Sequence, residues 1–266
     1  MLVILSPSFL NAADISVGAT TWYSKWETPK SWGFEIDDPT FLYGPIVSAK
    51  INNDFNFTFV FLYGQFKETA DFGTDNVEIP VDVKINRYDS DTALNYKLNN
   101  YLKLFAGLKF MKYSYTVKGD ITGIDESVLY NIIIDADVNH TGYGPGGGIS
   151  GVFPLGHDFY LLANISLMYI WGKQKGTNET EVFYLDDLYS DYNSYTKEKV
   201  SEKYKEYGYN TGASVAYYIS GASTTISLGG RYQAYTTEYT NSDFKNDKDK
   251  NKFWGATLSA TYSFSI

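Results

Sequence analysis

Apolar and polar residues alternate along most of the chain, in segments of about 10 to 16 residues that turns or polar stretches separate. The last segment is the clearest example. Every second residue from Trp254 to Ile266 is apolar or aromatic, and the residues between them are glycine, serine or threonine. A strand of a soluble sandwich is usually shorter, at about 5 to 6 residues. Alternating segments of this length are typical of tilted strands that cross a membrane, so the pattern predicts an all-β transmembrane protein.

The alternation predicts ten antiparallel strands that close into one barrel, with eight or twelve strands as alternatives. The first hairpin has the weakest pattern, which leaves open a barrel of eight strands with an N-terminal arm. The predicted strands are 14–26, 41–51, 55–67, 82–98, 101–118, 141–153, 158–174, 205–219, 223–238 and 252–266. Short turns at one end and long polar loops at the other are typical of barrels with periplasmic turns and extracellular loops. The predicted long loops are 27–40, 68–81, 119–140, 176–203 and 240–251. An even number of strands places both termini on the periplasmic side.

The first residues predict export. Residues 2–10 are mostly apolar and Asn11, Ala12 and Ala13 follow, which is the pattern at the end of a secretory signal peptide. The basic residues that usually precede the apolar part are missing, so we expect a signal peptide at 1–13 that is truncated at its N-terminus. A buried N-terminal strand is the alternative. The barrel domain is then 14–266.

Composition narrows the function classes. The net charge of −9 argues against a nucleic-acid partner, since phosphate neutralisation needs a basic face. With no cysteine, the chain has no disulfide scaffold, Cys-ligated zinc or thiol enzyme chemistry. Aromatic residues make up 18% of the chain and gather near segment ends, for example Trp171 and Trp254, as they do at membrane–water interfaces.

With this layout the chain resembles the bacterial outer-membrane β-barrel proteins over about residues 14–266, including porin-like barrels and the ten-stranded omptin surface proteases. The terminal residues 262–266 are similar to the assembly signal of these proteins, although Ile266 stands where Phe or Trp is usual. The resemblance implies a monomer in a Gram-negative outer membrane that contacts lipid and lipopolysaccharide and is inserted by the barrel-assembly machinery through 252–266. It implies no cofactor and no metal.

Charged residues are predicted to face the lumen, because the other face of the same strands is apolar. They are Lys50, Arg87, Asp89, Asp91, Lys97, Lys103, Lys109 and Arg231. Either register at the Asn99-Asn100 turn places Lys109 beside Asp89 or Asp91. These residues form either a selectivity constriction, in a narrow pore that passes small solutes, or an internal salt-bridge plug. The plug is favoured, because the interiors of narrow barrels are filled by side chains.

The only acid–base candidate at the extracellular rim is His140, with Asp135 and Asp137 in the same predicted loop. An omptin-like or lipid-modifying hydrolase would need such a pair. His140 and Asp137 are three residues apart, whereas neighbours on one strand face are two apart. We therefore expect a solvated His140 without a carboxylate partner from another strand, and a protein that is not an enzyme.

Two further stretches bear on function. The inward glycines Gly142, Gly144, Gly146 and Gly148 are predicted to make room for bulky side chains opposite them or for a bend in the strand, with a water-filled groove as the alternative. The acidic, tyrosine-rich stretch 176–203 suits recognition of a protein or a sugar, with a disordered surface loop as the alternative. The sequence thus favours a non-enzymatic barrel, with either a small-solute passage or a structural, surface-binding role.

Overall fold

The computed structural model describes residues 15–29, 35–74, 77–125, 128–184, 193–240 and 248–265. The predicted signal peptide at 1–13 lies outside these ranges. Within them the chain forms ten strands, listed here in chain order: β1 (Ile15–Glu27), β2 (Thr40–Lys50), β3 (Phe55–Thr74), β4 (Val77–Lys97), β5 (Leu102–Asp125), β6 (Val128–Gly156), β7 (Phe159–Tyr184), β8 (Ser194–Ile219), β9 (Thr224–Tyr239) and β10 (Lys248–Phe264). Each strand pairs antiparallel with its neighbour in sequence, and β1 pairs with β10. The predicted closed ten-stranded barrel is therefore confirmed.

Strand alternation separates the two faces of the wall, because successive side chains point to opposite sides of a sheet. On β4, for example, residues 87, 89 and 91 are buried in the interior, whereas Leu94 and Tyr96 are exposed on the outside. Closure fixes the same alternation on the last pair of strands, where Ile15 lies opposite Phe264 and Glu27 opposite Lys252. One face of every strand thus lines the lumen.

The outer wall carries two rings of exposed aromatic side chains with an apolar band between them. We call the end of the barrel where β1 ends, at Glu27, the upper end, and the end where β1 begins, at Ile15, the lower end. The upper girdle contains Tyr23, Phe41, Tyr43, Phe110, Tyr143, Trp171, Tyr207 and Trp254. The lower girdle contains Phe57, Tyr96, Tyr101, Phe153, Phe159, Tyr217 and Tyr262. On β10 Tyr262 is eight positions after Trp254. At about 3.3 Å per residue and a tilt of about 40°, the band is roughly 20 Å high, close to the apolar band of membrane barrels. No helical segment in the described ranges has the length and hydropathy needed to span a membrane.

The strands at the upper end run farther than predicted. Most of the predicted loops at 119–140 and 176–203 belong to β5–β8, and most of the loop at 68–81 belongs to β3 and β4. We call residues 119–134 and 176–203 the outer extension, of which 126–127 and 185–192 lie outside the described residues. Its strands carry polar residues on both faces, so the apolar alternation that reveals a membrane strand is weak there.

The outer extension stands above the rest of the barrel. The pairs that join β4 to β5 end at Asp82 and Lys118, and those that join β8 to β9 end at Tyr204 and Tyr239. Beyond these points β5–β8 continue as a sheet that is paired only within itself over the described residues. About ten residues of β8, at about 3.3 Å each, therefore extend past the last contact with β9.

The lumen is packed with side chains. A large buried cluster holds inward aromatic and aliphatic residues from most of the ring, including Trp22, Trp26, Phe66, Tyr113, Tyr235 and Phe253. The β1–β2 connection contributes Ile36, which is 1% exposed and packs into this cluster from above. A smaller cluster around Phe105 and Tyr160 lies nearer the lower end. These clusters enclose the charged residues described next.

Candidate functional site in the barrel interior

Five of the charged residues predicted to face the lumen form one contiguous group, which we call the charge layer: Arg87, Asp89, Asp91, Lys109 and Arg231. Arg87 Nη2 lies 2.7 Å from Asp89 Oδ2, and Lys109 Nζ lies 3.1 Å from Asp91 Oδ1 and also contacts Asp89. Arg231 Nη2 lies 3.9 Å from Asp91 Oδ2. The predicted contact of Lys109 with Asp89 and Asp91 is confirmed, and Lys109 lies directly opposite Asp91 in the register.

The charge layer spans the lumen. Arg87 on β4 donates a hydrogen bond of 2.9 Å to Gln233 on β9, and these two strands are five places apart in either direction around the ring. Two tyrosines, Tyr113 on β5 and Tyr235 on β9, meet with 2.6 Å between their hydroxyl oxygens. The Arg87 guanidinium also lies 3.9 Å from the centre of the Phe253 ring on β10. Side chains from opposite walls therefore touch at this level.

Aromatic faces compensate part of the cost of burying the two arginines. Besides Phe253, the Arg231 guanidinium lies 4.4 Å from the Trp22 ring centre, and Arg87 lies 5.5 Å from that of Tyr113. Cation–π contacts of this kind strengthen when they are desolvated. Trp22, Gln233 and Phe253 are not among the site residues predicted from the sequence. The alternation along their strands nevertheless indicates that these side chains point into the lumen.

The other three predicted cations lie away from the charge layer. Lys50, Lys97 and Lys103 are half-buried, and over the described residues they form no ion pair. Lys50 and Lys97 are the last residues of β2 and β4, and Lys97 lies opposite Lys103. They lie near the lower mouth of the barrel, where β2 and β4 end and β5 begins.

His140 does not have the predicted environment. It is 5% exposed, and its Nε2 lies 3.0 Å from Glu206 Oε1 on β8. The Tyr204 ring stacks on the imidazole at a centroid distance of 3.6 Å, and Thr237 donates a 3.0 Å hydrogen bond to the same carboxylate oxygen. The prediction of a solvated histidine without a partner from another strand was wrong. The cause is that β6 continues through residue 140, which places His140 on the lumen face.

Asp135 and Asp137 do not join His140. Both are exposed, and Asp135 pairs with Lys118 at 3.2 Å on the outer face of the sheet. The odd residues of this part of β6 point outward and the even ones inward. Asp137 and His140, three residues apart, therefore point to opposite sides of the wall, as their spacing predicts. The chain position of Glu206 gave no hint of the contact, because it is 66 residues from His140.

Glycine makes room for this cluster. A methyl group at Gly142 would lie 2.6 Å from the Tyr204 hydroxyl, and one at Gly172 would overlap the Tyr204 ring. Gly172 lies on β7, between His140 on β6 and Glu206 on β8. The prediction that inward glycines make room for bulky side chains is confirmed at Gly142. No group of three or more His, Asp and Glu side chains able to hold a metal ion occurs in the described part of the chain.

Comparisons with known proteins address the fold. No protein-family model matches the sequence, and no curated protein matches it either. The outer membrane protease OmpT from Escherichia coli is similar in structure, with 13% identity and a TM-score of 0.51, over 97% of this chain and 100% of that chain. The toluene transporter TodX from P. putida has 9% identity and a TM-score of 0.40, over 95% and 90% of the two chains.

The translocator domain of the autotransporter NalP from Neisseria meningitidis has 10% identity and a TM-score of 0.41, over 95% of this chain and 90% of that chain. At these identities the likeness is one of fold. The alternating strands, the closed ring of ten and the two aromatic girdles agree with it. The chain therefore has the fold of the outer-membrane β-barrel proteins.

Proposed function

We propose that this protein is a non-conducting outer-membrane barrel that binds a ligand at the cell surface through its outer extension. The extension faces the outside of the cell in this proposal, and both termini face the periplasm. The observation that carries the proposal is the continuation of β5–β8 beyond the last pairs with β4 and β9. Barrel strands need only about 9 to 11 residues to cross the membrane, so the additional strand length has another role.

The packing of the interior favours a closed barrel and argues against a pore that passes small solutes. A solute moving through the lumen would have to separate Arg87 from Gln233 and Tyr113 from Tyr235, which bond across it. It would also disturb the buried pairs of Lys109 with Asp89 and Asp91. Separating buried charges is costly, so a resting pathway through this layer is unfavourable.

The surface of the outer extension suits a macromolecular ligand. Phe183, Tyr195 and Ile133 are exposed on its outer face, with Tyr195 56% exposed. Charged groups are interspersed with them, and the Tyr195 hydroxyl donates a 2.9 Å hydrogen bond to Glu179. Aromatic side chains beside adaptable polar groups are characteristic of protein- and sugar-binding surfaces.

Shortening the extension tests the proposal. Replacing residues 177–199 by Asn-Gly keeps the Gly176–Val200 pair and removes the end of the β7–β8 hairpin. The matched control replaces 71–80 by Asn-Gly and keeps the Ala70–Val81 pair on the β3–β4 hairpin. We expect cells that display the wild type or the control to bind members of a panel of glycans and extracellular-matrix proteins, and cells with the shortened β7–β8 hairpin to lose that binding.

Planar-bilayer recordings check the closed lumen independently. The wild type should give no stable single-channel conductance. Regular conductance steps, or surface binding unchanged by the shortened β7–β8 hairpin, would contradict the proposal. Unboiled samples on SDS gels should show that each variant still folds as a barrel.

A hydrolase is the second candidate, because His140 has a carboxylate partner on another strand. Its 3.0 Å contact with Glu206 is within the range for orienting an imidazole as a general base. The second carboxylate oxygen, Glu206 Oε2, is enclosed and accepts no hydrogen bond from the described part of the chain. Against this function, the Tyr204 ring covers one face of the imidazole. Hydrolysis of dibasic peptides or lipid A that His140→Ala abolishes would favour this candidate over the surface-binding barrel.

A further inference from the structure

The lower half of the lumen has a different lining from the charge layer. Below that layer, the lumen-facing residues of the described strands are mainly serine, threonine, glycine, alanine and asparagine, with apolar residues such as Phe105 and Tyr160 among them. In the described strands none of these residues is Asp or Glu, whereas Lys50, Lys97 and Lys103 all face this part of the lumen. The strands thus bring positive charge to the lower lumen without a carboxylate of their own.

Two of these lysines face each other. Lys97 on β4 lies directly opposite Lys103 on β5, and the Cβ atoms of such neighbours are about 4.5–5.5 Å apart. Both side chains are half-buried, and over the described residues neither amine forms an ion pair or a hydrogen bond. Like charges that face each other in this way destabilise a sheet.

The carboxylate of the adjacent turn does not neutralise this pair. Asp54, between β2 and β3, accepts a 2.8 Å hydrogen bond from the Lys97 amide through its backbone carbonyl. Its side chain is exposed and forms no ion pair in the described part of the chain. The two facing amines therefore lack a counter-charge from the described protein.

A buried hydroxyl lies beside the two amines. Ser150 on β6 is directly opposite Lys103, faces the lumen and is 1% exposed. Its Oγ has no hydrogen-bond partner in the described part of the chain. Leaving a buried hydroxyl without a partner costs free energy, so this group points to a ligand from outside the chain. We call Lys97, Lys103 and Ser150 the lower cluster.

Lys50 adds a third positive charge near the lower cluster. It lies opposite Asn56 on β3, which lies opposite Asn95 on β4, the lumen-facing residue next to Lys97. Two strand spacings, or about 10 Å, therefore separate Lys50 from the lower cluster. Its charge makes the potential there more favourable for an anion.

A pair of lysines on the outer wall provides a comparison. Lys173 on β7 also lies directly opposite Lys203 on β8, and both side chains are exposed. Water and salt screen the repulsion between those amines, whereas protein partly encloses the pair inside the barrel, where charges interact more strongly. A bound counter-ion therefore stabilises the inner pair more than the outer pair.

We propose that the lower cluster is an anion site that takes a small oxyanion of the phosphate class through the lower mouth of the barrel. One tetrahedral oxyanion can bridge the two amines, because lysine amines are flexible donors and their contacts with anionic oxygens are about 2.7–2.9 Å long. Another oxygen of the same anion accepts a hydrogen bond from Ser150. The anion is either free or the phosphate group of a small ester.

The site faces the periplasm in the orientation given under the proposed function. It lies below the charge layer, so binding there needs no passage through the barrel. It is also independent of any ligand on the outer extension, so either proposal can fail alone.

Anion binding to the purified barrel in neutral detergent tests the site. The probes are inorganic phosphate and glycerol 3-phosphate, with chloride at equal ionic strength as the reference, and the readouts are titration calorimetry and thermal unfolding. The site variant carries Lys97→Gln and Lys103→Gln. The control variant carries Lys173→Gln and Lys203→Gln, which remove the same charge from a facing pair on the outer wall.

We expect phosphate or its ester to bind the wild type and the control, and to raise their unfolding temperature above that in chloride. The site variant should bind roughly 100-fold more weakly, because each hydrogen bond between charged groups contributes about tenfold or more to affinity. In chloride it should unfold at the same temperature as the wild type or higher, because the facing charges are gone. If the double variant does not fold, Lys103→Gln alone replaces it.

Chemical labelling gives a readout that needs no variant. Acetylation of the wild type with an amine-reactive ester, followed by mass spectrometry, measures the accessibility of each lysine. Phosphate should protect Lys97 and Lys103 and leave the labelling of Lys173 and Lys203 unchanged. Stronger protection by one of the two probes would identify the free anion or the ester as the preferred ligand.

Three results would overturn the proposal. The first is equal stabilisation by chloride and phosphate, which would show an effect of ionic strength alone. The second is an equal loss of phosphate binding in the site and control variants. The third is unchanged labelling of Lys97 and Lys103 at a phosphate concentration that saturates the calorimetric signal.

Discussion

Two ion pairs on β5 have nearly the same length and opposite surroundings. Lys109 in the charge layer lies 3.1 Å from Asp91, with side chains 0% and 4% exposed. Lys118, at the start of the outer extension, lies 3.2 Å from Asp135, with side chains 65% and 53% exposed. Lys118 is only nine positions after Lys109 on the same strand, yet one pair is enclosed by the opposite wall and the other is in water. The geometry of a pair therefore says little about its energy until its surroundings are known.

The largest expected effect is the loss of the buried amine. Lys109→Met leaves Asp89 and Asp91 without their shared partner in a medium of low dielectric constant, which costs about 3–5 kcal/mol. The temperature at which the folded band disappears on SDS gels should fall clearly. Adding Asp89→Asn should restore part of the stability, because it removes one of the stranded charges.

The comparison predicts a null result at the exposed pair. Lys118→Met, on the same strand, should leave the unfolding temperature almost unchanged, because water solvates the remaining Asp135. Equal losses at residues 109 and 118 would mean that the charge layer is hydrated, and purely additive effects of Lys109→Met and Asp89→Asn would mean that these two residues do not interact.

Steric room can be tested in the same way. Gly172→Ala places a methyl group on the Tyr204 ring and 2.6 Å from the Thr141 carbonyl oxygen, so it should cost about 1–3 kcal/mol. Gly230→Ala on the outer wall is the control, because the nearest atom to its methyl group is a carbonyl oxygen at 3.7 Å. Chemical denaturation of the two variants should separate them. Equal stability of the two variants would show that the Tyr204 ring is not fixed in its stacked position on the His140 imidazole.

A smaller contrast concerns two tyrosine hydroxyls. Tyr235→Phe removes the 2.6 Å hydrogen bond to Tyr113 across the lumen and should destabilise the barrel by about 1–2 kcal/mol. Tyr195→Phe removes the 2.9 Å hydrogen bond to Glu179 on the exposed extension and should have no measurable effect, since water replaces the hydroxyl. A loss of stability at Tyr195 matching that at Tyr235 would contradict the difference in burial between the two regions.

Sequence reasoning reached the charge layer because its determinants are local. The alternation set the inward face, and the Asn99 side chain accepts hydrogen bonds from the amides of Tyr101 (2.8 Å) and Leu102 (2.9 Å), which makes the turn tight and aligns Lys109 with Asp91. Contacts that span the lumen, such as Arg87 with Gln233, depend on the tilt and shear of the whole ring, which no local pattern contains.

The outer extension was less predictable for a related reason. Membrane strands are recognisable because lipid demands one continuous apolar face, and above the membrane that demand ends. The strands of the extension carry polar residues on both sides, as at Glu179 and Asn178, so the pattern predicts loops there. The same misassignment led to the wrong environment for His140, whose inward direction follows only once β6 is known to continue through it.

The smallest expected effect is a pH dependence confined to the outer extension. The hydrogen bond from Lys197, with a further one from Tyr195, holds the pKa of Glu179 below its ordinary value of 4.5. A carboxyl group with a lowered pKa stabilises the folded state above its ordinary pKa, and this contribution is lost as the pH falls through the lowered value. Hydrogen exchange of the β7–β8 amides near Glu179 should therefore show more frequent local opening below about pH 4 than a neutral-pH reference corrected for intrinsic exchange. Glu179→Gln should remove that change, since the amide does not titrate, while amides near the charge layer stay protected in both proteins. Unchanged protection of the extension across this range would mean that the Glu179–Lys197 contact does not hold the two strands together, and the outer extension would then owe its order to backbone pairing alone.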